Sequence, residues 1–293
     1  MTSKTHSLGL LGLTTAAILL LAGMSQAQRI RYSTFRVPGA SFTLAIGVDN
    51  AGDIVGYYND KGHTEGFLYS GGTVTNLDDP KGMQGGTVPM AINTARQVVG
   101  YYYTSAIQTY AFLYVNGIFS DIQLPATVVA STALGINNLG QIVGMYNDGK
   151  TWHGYIFDSV TLAFQTVDAP NASYTWGSGI NDSGEMTLFS INRSRNVQEA
   201  WLYDGKNFTN IDVPGYDSTL AESINNQGVV TLTANKGNFH YGFVYKAGKF
   251  TAVNPPGATS TSLSGINDQG EVVGFYNLAN GNQGSFLATL PQQ

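Results

Sequence analysis

GINDQGEVVG, residues 265–274, recurs along the chain with small changes, as GINNLGQIVG at 135–144 and GVDNAGDIVG at 47–56. The first polar residue of each copy falls at Asp49, Asn93, Asn137, Asn181, Asn225 and Asn267. Successive copies are separated by 44 residues four times and by 42 residues once. A period this constant indicates six copies of one structural unit.

Each unit has the alternating hydrophobicity of four short strands. In the third unit, strands at 133–136 and 141–146 flank the turn at 137–140, and further strands follow at 154–157 and 163–167. Apolar and polar residues alternate within these runs, which is typical of half-buried strands. Four antiparallel strands in about 40–45 residues are the expected content of one propeller blade.

The two ends of the chain complement each other. The sixth unit stops after the strand at 285–289 and lacks its fourth strand, whereas TFRVPGA at 34–40 resembles the fourth strands of other units, such as FTAVNPPGA at 250–258. Pairing the two ends closes the ring and leaves no exposed edge between blades. We therefore predict an all-β, six-bladed β-propeller with four antiparallel strands per blade, the last blade closed by the N-terminal strand.

The predicted boundaries follow from the period. A single domain is expected over residues 28–293. Its units span 41–82, 83–127, 128–172, 173–216, 217–258 and 259–290, and the last is completed by the strand at 29–40.

The repeated motif itself is predicted to be a structural turn. A glycine ends each turn, where a hairpin needs positive φ, and an Asn or Asp side chain at its start can bond the backbone two residues on. Arg96 replaces that glycine in the second unit. Calcium binding is the alternative, but each loop carries only one or two carboxylates, so no metal is predicted. The turn residues are Asp49, Gly52, Asn137, Gly140, Asn181, Gly184, Asn225, Gly228, Asn267 and Gly270.

The motif, followed by an aromatic-Leu-Tyr strand such as 67–69, 112–114 or 201–203, resembles the HAF repeat of exported bacterial proteins. The resemblance covers nearly all of the chain after residue 27. The sequence departs from the repeat in units four and five, where we interpret Thr187 and Thr231 as replacing the glycine of Val-Val-Gly. The histidine of the repeat is in register only at His153. The resemblance implies an extracellular repeat protein and brings no catalytic residues with it.

The first 27 residues are predicted to be a cleaved signal peptide. Lys4 supplies a positive start, residues 8–22 are apolar, and Ala27 ends a site suited to signal peptidase. The alternative, an uncleaved anchor, needs a longer apolar run of about 20 residues. We therefore expect a secreted or periplasmic protein, and the chain holds no Cys that a disulfide or lipid anchor would require.

Charge limits the partners of the mature chain. Without Lys4 it carries 13 basic and 19 acidic residues, a net charge of −6. This balance argues against nucleic acid and anionic lipid, which attract basic surfaces. The sequence after residue 27 offers no apolar run long enough to span a membrane, and we expect a monomer.

Function is expected on the variable loops of one face, since loops on a rigid scaffold usually carry it. The candidates mix aromatic and polar side chains, which suits a carbohydrate or an extracellular protein partner. An extracellular hydrolase or lyase and a structural surface protein are the alternatives. The histidines at 63, 153 and 240 do not share one register, so neither metal nor cofactor is predicted. The candidates are Tyr58, His63, Tyr103, Tyr110, Trp152, His153, Tyr174, Trp176, Arg193, His240 and Tyr276.

Overall fold

The structure, a computed structural model, describes residues 29–60, 62–105 and 108–291. These residues form 24 strands in six four-stranded sheets, and every pair of neighbouring strands is antiparallel. The predicted signal peptide lies outside the described residues. Within them there is no helix of the length and apolarity that crossing a bilayer requires.

The first five blades take their strands in chain order from the channel outward, and the sixth takes its outermost strand from the start of the chain. The first blade holds β2 (Phe42–Val48), β3 (Ile54–Asp60), β4 (His63–Ser70) and β5 (Thr73–Leu77), and the second holds β6 (Thr87–Ile92), β7 (Val98–Ser105), β8 (Gln108–Val115) and β9 (Ile118–Asp121). The third holds β10 (Ala130–Ile136), β11 (Gln141–Asn147), β12 (Trp152–Asp158) and β13 (Phe164–Thr166). The fourth holds β14 (Ala172–Ile180), β15 (Met186–Asn192), β16 (Gln198–Tyr203) and β17 (Phe208–Asn210). The fifth holds β18 (Ser218–Ile224), β19 (Val230–Lys236), β20 (Phe239–Lys246) and β21 (Lys249–Ala252), and the sixth holds β22 (Ala258–Ile266), β23 (Glu271–Leu278), β24 (Gln283–Thr289) and β1 (Arg31–Phe35).

The sixth blade is built from both ends of the chain. Its strand order is β22, β23, β24, β1, and β1 pairs with β24 from Arg31 opposite Thr289 to Phe35 opposite Ser285. The predicted six-bladed ring and its closure by the N-terminal strand are therefore confirmed.

The innermost strands pack backbone against backbone around the axis. Each has a small residue at the point of closest approach, namely Gly47, Ala91, Gly135, Gly179, Ser223 and Gly265. A Cβ atom on Gly135 would lie 2.9 Å from the Cα of Gly179 in the next blade. This contact explains the first glycine of GINDQGEVVG, because a larger side chain there would push two blades apart.

The motif forms a tight turn at one end of every blade. In the third blade Asn137 Oδ1 accepts hydrogen bonds from the backbone N–H groups of Leu139, at 3.1 Å, and Gln141, at 2.9 Å. The glycine that ends the turn has positive φ, 82° at Gly140 and 75° at Gly270. Arg96 adopts the same conformation with a φ of 57°. Its guanidinium reaches back to Asp53 of the preceding blade, with Nε 2.7 Å from Oδ2.

The turns are also joined into a ring. Asn93 Nδ2 donates to the carbonyl of Asn137 at 3.0 Å, and Asn137 Nδ2 donates to the carbonyl of Asn181 at the same distance. Three further links of this kind run through Asn181, Asn225 and Asn267, the last ending on the carbonyl of Asp49. Asp49 has no amide to continue the ring, and its Oδ2 is buried without a hydrogen-bond partner.

The register of β15 and β19 corrects one interpretation of the repeat. Leu188 lies opposite Gly177 and Leu232 opposite Ala221, in the same way that Gly144 lies opposite Ala133. Leu188 and Leu232, not Thr187 and Thr231, therefore occupy the place of the motif's last glycine.

Replacing Gly270 with Val should lower the stability of the protein by about 1–3 kcal/mol, since a β-branched residue is strained at positive φ. Space is not the obstacle, because the nearest atom to an added Cβ, Leu290 Cβ, is 3.5 Å away. Denaturant unfolding measures the change. Gln269→Val, one residue earlier on the exposed turn, is the control, and equal stability of the two variants would contradict the argument.

Candidate functional site

A cavity of about 550 Å³ occupies the central channel. Its wall comes from the inner strands of all six blades and from residues on the second and third strands of blades two, three and four. A volume of this size is within the range of about 300–1,000 Å³ that is usual for small-molecule sites. The channel therefore offers a concave surface of the size that a small ligand needs.

A β-bulge in each inner strand places one side chain at the same level of this cavity. The pairing register shifts at Ile46, Met90, Leu134, Ser178 and Glu222, and in the last blade between Leu263 and Ile266, where Ser264 is the equivalent residue. All six residues, called the bulge ring below, line the cavity. Three consecutive members are apolar and the next three are polar, so the ring has two chemically different halves.

The cavity has an apolar floor on the side of the repeated turns. Six buried side chains form it, Val48, Ile92, Ile136, Ile180, Ile224 and Ile266. Beyond them a small pocket of about 60 Å³ is enclosed by the turns. The cavity therefore opens toward the opposite face, where the loop β11–β12 lies.

Aromatic side chains form the wall between the bulge ring and this opening. Trp176 stacks on Phe189 with ring centroids 4.8 Å apart and planes inclined by 13°. Tyr101 and Tyr103 form an edge-to-face pair with centroids 5.5 Å apart, and Trp152 completes the wall. Burial raises the pKa of Tyr101 far above its usual range, so its hydroxyl stays protonated.

Glu222 is the carboxyl group of this wall. Burial in the channel raises its pKa to about 7, opposed by a hydrogen bond with the Thr233 hydroxyl. The side chain is half-buried, so the carboxyl is in contact with the cavity. Among the described lining residues there is no Lys, Arg or His to balance it.

Three of the sequence candidates line this cavity, Tyr103, Trp152 and Trp176. Tyr174 is nearby, with its ring centroid 6.1 Å from that of Trp176 and 39% of its surface exposed. These four residues are brought together by blades two, three and four.

Three other tyrosines are packed within their blades instead. Tyr58 donates a hydrogen bond to Asn76 Oδ1 at 2.9 Å, Tyr110 stacks on Tyr102, and Tyr276 contacts the buried Phe286. These three side chains therefore lie on strands, against the faces of their sheets, and not in the variable loops where the sequence analysis placed them.

The polar candidates are dispersed around the ring. His63 and His240 are exposed, and Arg193 donates to the carbonyl of Ala172. His153 is held by Asp168, with Nδ1 2.7 Å from Oδ2, and stacks on Tyr146. In the described residues no three His, Asp or Glu side chains are grouped as metal ligands would be.

Glu222, Tyr101, Phe189 and Met90 are lining residues that the sequence interpretation missed. Aligning the six copies exposes Glu222, because it lies three residues before Asn225 in a column otherwise occupied by Ile, Met, Leu and Ser. A charged residue in such a column signals a special role.

No protein-family model matches the chain, and no curated protein does. Several solved structures share the fold at low identity. The β-propeller domain of the Trilobed protease from Pyrococcus furiosus is 12% identical, with a TM-score of 0.56 over 85% of this chain and 81% of that one. A putative TolB from Agrobacterium tumefaciens is 11% identical, with a TM-score of 0.60 over 90% and 98%. The SapL1 lectin, solved with alpha methyl fucoside, is 12% identical, with a TM-score of 0.52 over 81% and 89%. At these identities the comparisons establish the β-propeller fold of this chain.

Proposed function

We propose that this protein is an exported binding protein of the HAF-repeat type, which takes one carbohydrate unit into its central channel from the end opposite the repeated turns. The observation that carries the proposal is that the 550 Å³ cavity combines an aromatic wall near its opening with serine hydroxyl groups from the fourth, fifth and sixth blades. A sugar ring has the complementary surfaces, an apolar C–H face and a rim of hydroxyl groups.

Trp176 is the residue on which such a ring would stack. Its indole is held flat against Phe189 and therefore loses little conformational freedom when a ligand binds. The hydroxyl groups of Ser178, Ser223 and Ser264 belong to the neighbouring part of the wall. Ser223 and Ser264 supply donors and acceptors for the rim of the ring, whereas the Ser178 hydroxyl donates to the Thr187 carbonyl at 3.2 Å and offers only an acceptor.

One site per molecule is expected, in contrast to a multivalent lectin. The residues equivalent to Trp176 in the other blades are Leu44, Val88, Thr132, Leu220 and Ser262. None of them is aromatic, so the sixfold repeat of the backbone does not extend to the stacking surface. The SapL1 lectin supports the choice of ligand, because it is a protein of this fold whose structure was solved in complex with alpha methyl fucoside.

A hydrolase or lyase remains the second candidate, and Glu222 is its only support. A carboxyl with a pKa of about 7 suits a general acid or base. Glycoside hydrolysis ordinarily needs two carboxyl groups, whereas Glu222 is the single carboxyl among the described lining residues. Binding is therefore favoured over catalysis.

The test is a glycan array followed by calorimetry with residues 28–293. Trp176→Ala should weaken binding about tenfold or more, since loss of a central aromatic contact costs about 1.4 kcal/mol or more. Phe239→Ala is the control, because Phe239 is an exposed aromatic residue outside the cavity. Equal loss in both variants, or no glycan bound, would contradict the proposal. Turnover of a bound glycan would favour the enzyme.

A further inference from the structure

The bulge ring places one carboxyl group, that of Glu222, in a cavity whose other described lining residues are uncharged at neutral pH. Glu222 lies at the bulge of β18, and its neighbours in the ring are Ser178 on β14 and Ser264 on β22. Every other residue of the ring is apolar or carries only a hydroxyl. Ser and Leu fill the equivalent position in other blades, so packing alone does not require a carboxyl there.

The protein supplies no counter-charge from the elements around β18. Of these, β14, β15 and β22 carry no charged residue. Glu199 on β16 is ion-paired with Arg195, and Lys236 on β19 lies over the ring of Tyr216 at 5.8 Å. Tyr101 and Tyr103 are the other titratable groups of the cavity wall. The Thr233 hydroxyl is the hydrogen-bond partner of Glu222, and it also accepts from the Leu263 N–H at 3.2 Å.

The spacing between Glu222 and the aromatic wall fits one class of ligand. Trp176 lies two residues before Ser178 on the same strand, so it is about 7 Å nearer the opening than the bulge ring. Indole, phenyl and phenol faces attract cations, and a carboxylate attracts them more strongly. A ligand whose ring stacks on Trp176 can therefore carry a positive group at the depth of Glu222.

We propose that the ligand of this cavity bears a protonated amine, which the Glu222 carboxylate receives at the level of the bulge ring. The inference rests on the proposed function in so far as the cavity is a ligand site. It adds the charge of the ligand, and an amino sugar is the carbohydrate that satisfies both proposals.

Proton linkage follows from this pairing. Without ligand the Glu222 carboxyl is partly protonated near neutral pH, because burial raises its pKa to about 7. An ammonium group favours the ionised carboxylate, so binding at pH 6.5 should release a proton. For an amine that keeps its charge to about pH 9, affinity should rise from pH 6 to pH 8 and then level off.

Two matched probe pairs test the inference by calorimetry. Methyl 6-amino-6-deoxyglucoside and methyl glucoside differ in an alkylamine that stays protonated at pH 7.5, and so do phenethylamine and 2-phenylethanol. Within each pair we expect the amine to bind about tenfold more tightly at pH 7.5, with proton release measured in buffers of different ionisation enthalpy. The proton release needs only the wild-type protein.

Glu222→Gln should abolish the preference for the amine and leave the binding of 2-phenylethanol unchanged. The matched control is Glu185→Gln, which removes a carboxylate at a position where Gln97 and Gln141 stand in other blades. Equal binding within both pairs, or a preference that survives in Glu222→Gln, would overturn the inference.

The outcomes separate the two proposals. Binding of neutral sugars without an amine preference overturns the inference and supports the carbohydrate proposal. An amine preference in the phenyl pair alone supports the inference and contradicts the carbohydrate proposal.

Discussion

A chain that lacks residues 29–40 is expected to lose its cooperative unfolding transition or to associate into oligomers. The deleted segment contains β1, whose five residues pair with β24 as the outer strand of the sixth blade. It also contains Val37 and Ala40, which are 4% and 1% exposed in a core shared with the first blade. Burial of a Val side chain alone contributes about 1.5–3 kcal/mol. The deletion removes that contribution, the strand pairing and the contact of Phe35 with Phe67 together.

Thermal unfolding and size-exclusion chromatography measure this effect. A synthetic peptide of residues 29–40 is the positive control, since adding it back should restore the transition by pairing with β24. Val37→Ala in the full chain should lower the melting temperature without causing association. A truncated protein that melts like the full chain and remains monomeric would show that ring closure does not depend on this strand.

Asp49→Asn is expected to stabilise the protein at neutral pH by about 1–3 kcal/mol, the cost of a buried polar group without a partner. Five of the six links between turns are donated by Asn Nδ2, and Asp49 Oδ2 occupies the place of the sixth donor. The new amide would donate to the carbonyl of Asn93. Its Oδ1 would keep the bonds from the Ala51 and Asp53 N–H groups.

The gain should depend on pH. Burial is the main cause that raises the pKa of Asp49 in the folded protein above its usual value of about 4, and the nearby Asp53 adds to it. A raised folded pKa means that stability falls as pH rises from the unfolded value to the folded one, and the full cost persists above it. The difference between Asp49→Asn and the wild type should therefore be small below pH 4 and largest at pH 7.

Asn137→Asp is the matched control for this prediction. It removes the donor from one link, so it should destabilise the protein at pH 7 by a similar amount and less at pH 4. Urea unfolding at the two pH values measures both variants. An Asp49→Asn protein that is no more stable than the wild type at pH 7 would contradict the account of the ring.

Most of the architecture could be predicted because the chain repeats it six times. The constant spacing from Asp49 to Asn267 gave the number of blades, and the orphan strand before Ala40 gave the closure. One register was misread at Thr187, because a buried Leu at 188 conceals the place of a glycine. Counting would have avoided this error, since position 188 lies 44 residues after Gly144, and the pairing of β14 with β15 agrees with the count.

The cavity was harder to predict because its residues lie in strands. The sequence analysis expected the site in loops. Its candidates therefore include the cavity residues Trp152 and Trp176 but not Glu222. Tyr110 was placed in a loop, although its ring stacks on Tyr102 within a blade. Which of the alternating residues faces the channel depends on the bulge in each inner strand, and a local irregularity of this kind leaves no fixed signature in the sequence.

The bulge ring has a consequence for how this fold acquires new specificity. A bulged residue is outside the regular ladder, so its side chain is not matched to a partner across the strand. Ile46, Leu134 and Glu222 occupy the same backbone position with very different side chains. Six such positions, each in a separate repeat, can therefore be substituted independently of one another. A library that randomises them alone should yield propellers of unchanged architecture with cavities of different shape and charge.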